Sequence, residues 1–409
     1  MTATPGENAP AEPAPPAERD RVVRRASSRT GVYAAIVVII VVVLVVVVGF
    51  QYHWFGGKSN STAPGACPSG TTLQGNGANF ILALVSAWQQ SYNTATGNRV
   101  DYTPGGAGAG ITALQQYTVD FAATDDPLNS SQTTGMHGSV LTLPITGGAL
   151  AIVYNLPGLT KPISLTGPVL ADIYLGKITM WNDPAIANNN TGLTLPPQPI
   201  GPVVRSDAAG TTYVLTDFLS QDSPTWASSI GKGISVPFPH VSGLVAIKGN
   251  SALASYVQTT SYTIGYVDLT DVLNLPGLQY AKVLNPAGVY VLPTVASTAS
   301  AIANRSALTT FPSASGDWQT VSMVNSPGTS DYPLATLAYF FVYKEVNDGF
   351  QPSLAKAQVL VQWLNYVITT GQSVADSYYY VALSSQLVTL DTTALQTMTF
   401  NGASIPTCG

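Results

Sequence analysis

Arg205 ends an apolar run at residues 200–204, and Ser206-Asp207-Ala208-Ala209-Gly210-Thr211 follows before apolar residues return at helical spacing over 213–219. A guanidinium presents a planar fork of N–H donors that fits a tetrahedral oxyanion two oxygens at a time. Asp207, two residues on, is placed to hold that fork in one plane. Strand, small-residue turn and helix aim free backbone N–H groups and the positive helix end at one point. The chemistry on offer is anion binding; for this segment alone the competing reading is a helix start with a surface Arg–Asp pair.

The same grammar occurs twice more. Gly75-Asn76-Gly77-Ala78-Asn79 leads into an apolar helical stretch from Phe80, and Gly105-Gly106-Ala107-Gly108-Ala109-Gly110 leads into another from Ile111. Three glycine-rich turns before helices can converge on one small anion. Residues 105–110 lack the G-x-G-x-x-G dinucleotide spacing and no G-K-[ST] follows a glycine loop, so nucleotide binding is disfavoured. His53, His137 and His240 are scattered without ligand spacing, which gives no metal site. No G-x-S-x-G turn supports a serine hydrolase. Neither catalytic residues nor a cofactor are expected.

The elements that must position these turns are those of an α/β protein. Strand-like runs at 100–103, 119–123, 149–154, 203–205, 263–268 and 338–343 alternate with helix-like runs at 80–92, 111–116, 169–175, 212–219, 252–258 and 355–370. The chain has 409 residues, 45% apolar and 9% charged, enough to bury two sizeable cores. Its net charge of −5 carries no nucleic-acid footprint. Residues 286–331 are rich in Ser, Thr and Pro with weak periodicity and read as variable surface.

The N-terminal part reads differently. Residues 1–31, rich in Pro, Ala and Glu and then in Arg, read as a disordered cytoplasmic tail. Residues 32–50 carry no charge, and 19 positions at ~1.5 Å each span about 28 Å, enough to cross a bilayer core. Arg19, Arg21, Arg24, Arg25 and Arg29 precede this span while Lys58 alone follows closely, so a single-pass signal anchor with its C-terminal side extracellular is expected. Residues 51–66 form a linker. Cys67 and Cys408, the chain's two cysteines, bracket the exterior part, and an oxidising exterior favours one disulfide between them.

Across residues 75–385 the chain resembles the phosphate-specific substrate-binding proteins of ABC importers. The resemblance is carried by Gly75 to Phe80, by Val119-Asp120-Phe121-Ala122-Ala123-Thr124-Asp125-Asp126-Pro127-Leu128, and by Tyr154-Asn155-Leu156-Pro157-Gly158. It continues in Leu170-Ala171-Asp172-Ile173-Tyr174-Leu175-Gly176-Lys177-Ile178-Thr179-Met180-Trp181-Asn182-Asp183, Arg205 to Thr211, Lys248-Gly249-Asn250 and Ile264-Gly265-Tyr266-Val267. The resemblance implies a two-lobed periplasmic-binding-protein-like fold with a hinge and a central ligand cleft. Lobe one would hold 67–148 plus 332–409, and lobe two 149–331. A Cys67–Cys408 bond would then lie within lobe one.

By the same resemblance the ligand positions are Asn79, Phe80, Ala107, Asp125, Arg205, Ala209, Gly210 and Thr211, with Asp207 orienting Arg205. Phe80, Gly210 and Thr211 would give backbone N–H groups, and Thr211 also its hydroxyl. Asp125 would accept a hydrogen bond from a protonated phosphate oxygen and repel sulfate, which has no such proton. The family usually has serine where this chain has Ala107 and Ala209, and threonine where it has Asn79. Each lost hydroxyl bond to a charged group is worth about 1.5–3 kcal/mol, so phosphate binding two to four decades weaker is expected unless Thr124 or Ser206 reaches in. The implied role is an anchored extracellular phosphate-binding monomer serving ABC permease subunits. A same-fold surface protein for another oxyanion or a phosphate ester is the alternative, as is a sensor, structural or adhesion protein that has lost transport.

Overall fold

The structure is a computed structural model that describes residues 68–407. The expected tail, the membrane span at 32–50, the linker, Cys67 and Cys408 lie outside the described residues.

Nine strands form the main sheet among the described residues. In chain order they are β1 (Thr72–Gly77), β2 (Arg99–Thr103), β3 (Phe121–Thr124), β4 (Val140–Tyr154), β5 (Gly201–Arg205), β6 (Val245–Ile247), β7 (Thr263–Asp268), β8 (Gln279–Tyr280) and β9 (Ala335–Tyr343). Their order is β2-β1-β3-β9-β4-β7-β5-β6, with β8 beside β4. β1 runs parallel to β2 and β3, and β5 runs parallel to β6 and β7. Parallel neighbours need crossover connections, and helices supply them, so both halves carry the helix-covered sheet of an α/β fold.

β4 joins the halves. Residues 140–149 pair antiparallel with β9, whereas Leu150 to Tyr154 pair antiparallel with β7. Every β4 residue after Val140 is buried, the pattern of a strand covered on both faces. Each half encloses its own apolar core. One gathers Leu84, Trp88, Phe121, Phe340 and Trp363, and the other Ile173, Trp181, Leu215, Phe218 and Tyr266. The fold is thus a mixed α/β molecule of two lobes. The second crossing, near residues 331–335, is tied to the first: the Leu150 N–H donates to the Leu334 carbonyl (3.0 Å) and the Tyr332 hydroxyl to the Leu150 carbonyl (2.8 Å).

Four helices open next to the sheet's parallel strands: α1 (Leu82–Thr96), α2 (Ala107–Gln115), α3 (Gly210–Asp222) and α4 (Asn250–Thr259). α1 and α2 follow β1 and β2 in the first lobe; α3 and α4 follow β5 and β6 in the second. All four begin at the carboxyl ends of those strands, where open α/β sheets bind ligands.

The expected elements occur, with informative differences. The 149–154 run is only the end of β4; Pro144 and the Gly147-Gly148 pair hide the rest from a pattern reading. β1 includes Gly75-Asn76-Gly77, which the sequence suggests is only a turn. Residues 286–331 are not merely surface. Thr294 caps a helix at Val295–Leu308, and Ala301, Ile302, Trp318, Val321 and Met323 are buried against Ile111, Leu337 and Tyr339. Their weak periodicity has two sources: the helix buries a face of mostly small and polar residues, Ser297, Thr298, Ala301, Ile302 and Ser306, and Trp318, Val321 and Met323 are buried singly outside any helix.

At the crossing, a Cβ on Gly148 would land on the Phe80 ring. That ring also meets Tyr380 edge-on at 5.8 Å. Gly148→Ala is therefore expected to cost about 1–3 kcal/mol, as overpacking of a filled core does. Urea denaturation monitored by circular dichroism checks this.

Candidate functional site

Ala78, Asn79, Phe80, Gly106, Ala107, Asp125, Arg205, Ala209, Gly210, Thr211 and Asn250 line one cavity with about 160 Å³ of space not filled by atoms. The eight ligand positions named from the sequence are all brought together there. Ala78, Gly106 and Asn250 were not among them. Asn250 was legible: Gly249-Asn250 before an apolar helix is a fourth case of the grammar found at the other three turns.

The four helix starts share a feature. Ile81, Gly106, Ala209 and Gly249, the residues that precede α1 to α4, make no side-chain capping bond. Seven of the other α-helices among the described residues are capped by Asn129, Thr166, Asp183, Ser223, Thr294, Ser353 and Ser384, whereas the helix at Leu269–Asn274, preceded by Asp268, makes no side-chain capping bond. First-turn N–H groups have no acceptor inside their own helix. Four uncapped starts around one cavity therefore concentrate unspent donors and positive helix ends at one place.

Arg205 is the cation of the site, its side chain 2% exposed. Its Nε donates to Asp207 Oδ1 at 2.8 Å and its Nη2 to Asp207 Oδ2 at 2.5 Å. Nη1 donates to Thr211 Oγ1 at 3.1 Å and to Asn250 Oδ1. The Gly249 N–H donates to Asp207 Oδ1 at 3.2 Å. Burial pushes the Asp207 carboxyl up, but the bonds and charge of Arg205, with the Gly249 N–H, outweigh it and hold the group below the usual carboxylate range. Asp207 is therefore ionised and fixes the guanidinium plane.

Asp125 sits opposite, 2% exposed, against Gly210; a Cβ there would land on its carboxylate. Burial raises its pKa to about 7, only partly offset by its own backbone N–H and by Arg205. Below about pH 7 the carboxyl is a donor to an anion, and above it an acceptor. An unfolded aspartate releases its proton near 3.8, so the folded carboxyl holds its proton over a wider range. Its contribution makes the fold lose stability as pH rises from about 4 to 7.

Thr124 and Ser206 do not replace the hydroxyls absent at Ala107 and Ala209. The Thr124 hydroxyl donates to the Asp126 carbonyl, and Ser206 is exposed. Thr211 contributes the single side-chain hydroxyl among the lining residues.

The lobes meet beside the cavity. The Gly108 N–H donates to the Ala208 carbonyl at 3.4 Å, and a Cβ on Gly108 would fall 2.7 Å from Ala208 Cβ. Gly106, at φ +92°, would bring a Cβ to 3.1 Å from Asp207 Oδ2. These glycines let the first-lobe loop close on the second-lobe turn. Gly108→Val is expected to prop the lobes apart and weaken oxyanion binding at least about tenfold, because half the donors lie across the gap. Calorimetry reads the affinity, and small-angle scattering should show a larger radius of gyration than wild type with anion present.

Comparison with known proteins gives a consistent result. The PBP superfamily domain matches residues 61–370. The chain is 36% identical over 337 residues to the phosphate-binding protein PstS of Xylella fastidiosa strain 9a5c, covering 80% of this chain and 86% of that one. It is 31% identical over 324 residues to phosphate-binding protein PstS 2 of Mycobacterium tuberculosis, covering 77% and 82%. A crystal structure of a DING protein superposes with a TM-score of 0.61 at 18% identity, over 78% of this chain and 92% of that one. The phosphate-binding protein of Stenotrophomonas maltophilia gives 0.59 at 20% identity, over 78% and 92%.

Proposed function

Since the chain belongs to the PBP superfamily and, within it, to the PstS family of phosphate-binding proteins, we propose that it binds inorganic phosphate outside the cell and delivers it to the permease subunits of an ABC importer. The observation that carries this reading is the opposition of Arg205 and Asp125 across one small cavity ringed by uncapped helix starts. Arg205 attracts any small oxyanion. Asp125, when ionised, favours one that brings a proton to share.

Binding involves no chemistry on the ligand, and function lies in lobe closure driven by differential affinity for the closed form. Phe80, Ala107, Gly210 and Thr211 give backbone N–H groups, Asn79 its amide, and Arg205 its remaining guanidinium donor. Residues 67–148 plus 332–409 and residues 149–331 act as the two bodies, with residues 301–323 packed back onto the first. The protein works as a monomer, held to the membrane by residues 32–50, with Cys67 and Cys408 joined on the exterior side.

Two experiments test this. External protease on intact cells should release a soluble fragment beginning near residues 56–66; a fully protected chain would exclude the anchor. Calorimetry on the full-length chain should show phosphate binding that is lost in Arg205→Ala, because the main charge partner and its charge-assisted bonds vanish together. At pH 8.5 sulfate should not compete. Near pH 5.5, where the Asp125 carboxyl of about 7 is protonated and donates to either anion, sulfate should begin to compete. Asp125→Asn should let sulfate compete at both pH values. No heat with phosphate at either pH would overturn the reading.

A further inference from the structure

Arg205 has five N–H donors, and four bonds hold them inside the protein. Asp207 takes the Nε/Nη2 edge. The Nη1 end is held by Thr211 and by Asn250 Oδ1. Asn250 is 2% exposed and lines the cavity, and its Nδ2 donates to Asp268 Oδ2. Asp268 is also 2% exposed, at the end of β7.

We propose, on the oxyanion-binding reading above, that Asn250 is a positioning residue for Arg205 and that Asp268 fixes Asn250. Together they form a second arm opposite Asp207 that sets which guanidinium N–H faces the anion. A guanidinium gripped along one edge can still tilt about that edge, so the Nη1 end needs its own acceptor. An asparagine amide has two faces, and its NH2 turned to Arg205 would set donor against donor. Asp268 removes that choice by accepting from Nδ2, which leaves the carbonyl oxygen toward Nη1.

What Asp268 must supply is an acceptor rather than a charge. Burial, with Asp271 and Asp125 nearby, holds its carboxyl well above the usual carboxylate range, while Arg205 and the Asn250 bond pull the other way. A neutral carboxyl still accepts through Oδ2. Tyr380 is the remaining titratable group that feels it, and burial keeps that phenol protonated.

The arm also lies on one side of the cleft. Arg205 ends β5, Thr211 opens α3, Asn250 opens α4 and Asp268 ends β7, all in the second lobe. Asn79, Ala107 and Asp125 come from the first. The second lobe therefore carries the whole of the arm that orients Arg205.

Nitrogen-15 NMR of the Arg205 guanidinium in the full-length chain, assigned with Arg205→Lys, tests the arm without any ligand. Wild type should show two resolved proton signals on Nη1, from slow rotation about the Cζ–Nη1 bond. Asn250→Ala and Asp268→Leu should merge the two Nη1 proton signals and weaken phosphate at least about tenfold, roughly one charge-assisted bond. Asp268→Asn, which keeps an acceptor, should retain separate signals and bind within about threefold of wild type. Wild-type signals in Asn250→Ala or in a folded Asp268→Leu would overturn the proposal, as would equal losses in Asp268→Asn and Asp268→Leu. Merged signals in the variants of a chain that binds no phosphate would sink the functional reading and leave the arm standing.

Discussion

A buried arginine makes the greatest demand on this molecule. Removing one partner of a buried ion pair costs about 3–5 kcal/mol, because the other charge is left stranded in a poor solvent. Arg205 is stable in place because Asp207 grips one edge, Thr211 and Asn250 hold the other end, and the Tyr266 hydroxyl accepts its backbone N–H at 3.0 Å. Each partner comes from a different local element, so the pairing of β5 with β6 and β7 and the starts of α3 and α4 are all tied to one side chain. Such a site is rigid before any ligand arrives, which lowers the ordering cost of binding.

The opposite face of the cavity follows another rule. The first lobe brings little side-chain chemistry: Asn79, the Asp125 carboxyl, and otherwise backbone. Its glycines act by absence. A Cβ at Gly110 would meet Asn76 and Gly77 backbone, the nearest at 2.6 Å, and Gly108 and Gly106 admit the second-lobe turn. A backbone-lined anion site needs close approach of main chain to ligand, which only small residues permit. Leaving the starts at Ile81 and Ala209 uncapped sacrifices about 0.5–2 kcal/mol each relative to a good capping residue, and glycine at 106 and 249 only about a few tenths of a kcal/mol each. Seven of the other eight α-helices among the described residues do carry a side-chain cap, so uncapped starts are concentrated at the cavity.

Much of this could be read from the sequence, and the failures have physical causes. Arg205 and Asp207 stood out because a charged pair after an apolar run is a local pattern. The glycine turns were visible for the same reason, and Gly249-Asn250 obeyed that rule as well. Asp268 was not legible as part of the site, since its link to Arg205 runs through Asn250, across two strands and a helix. The full length of β4 was hidden by Pro144, Gly147 and Gly148, residues that usually end strands but here mark the crossing between lobes. The segment around Trp318 was misjudged because single buried side chains leave no period in a Ser/Thr-rich stretch.

The backbone N–H groups at these helix starts are what the site offers an anion. Amide proton–nitrogen spectra of the full-length chain, recorded as phosphate is added, read that contact residue by residue. The largest shifts should fall on the amides of Phe80, Ala107, Gly210 and Thr211, with side-chain shifts at Arg205. Phosphate-induced shifts confined to other residues, with those four amides unmoved, would contradict it.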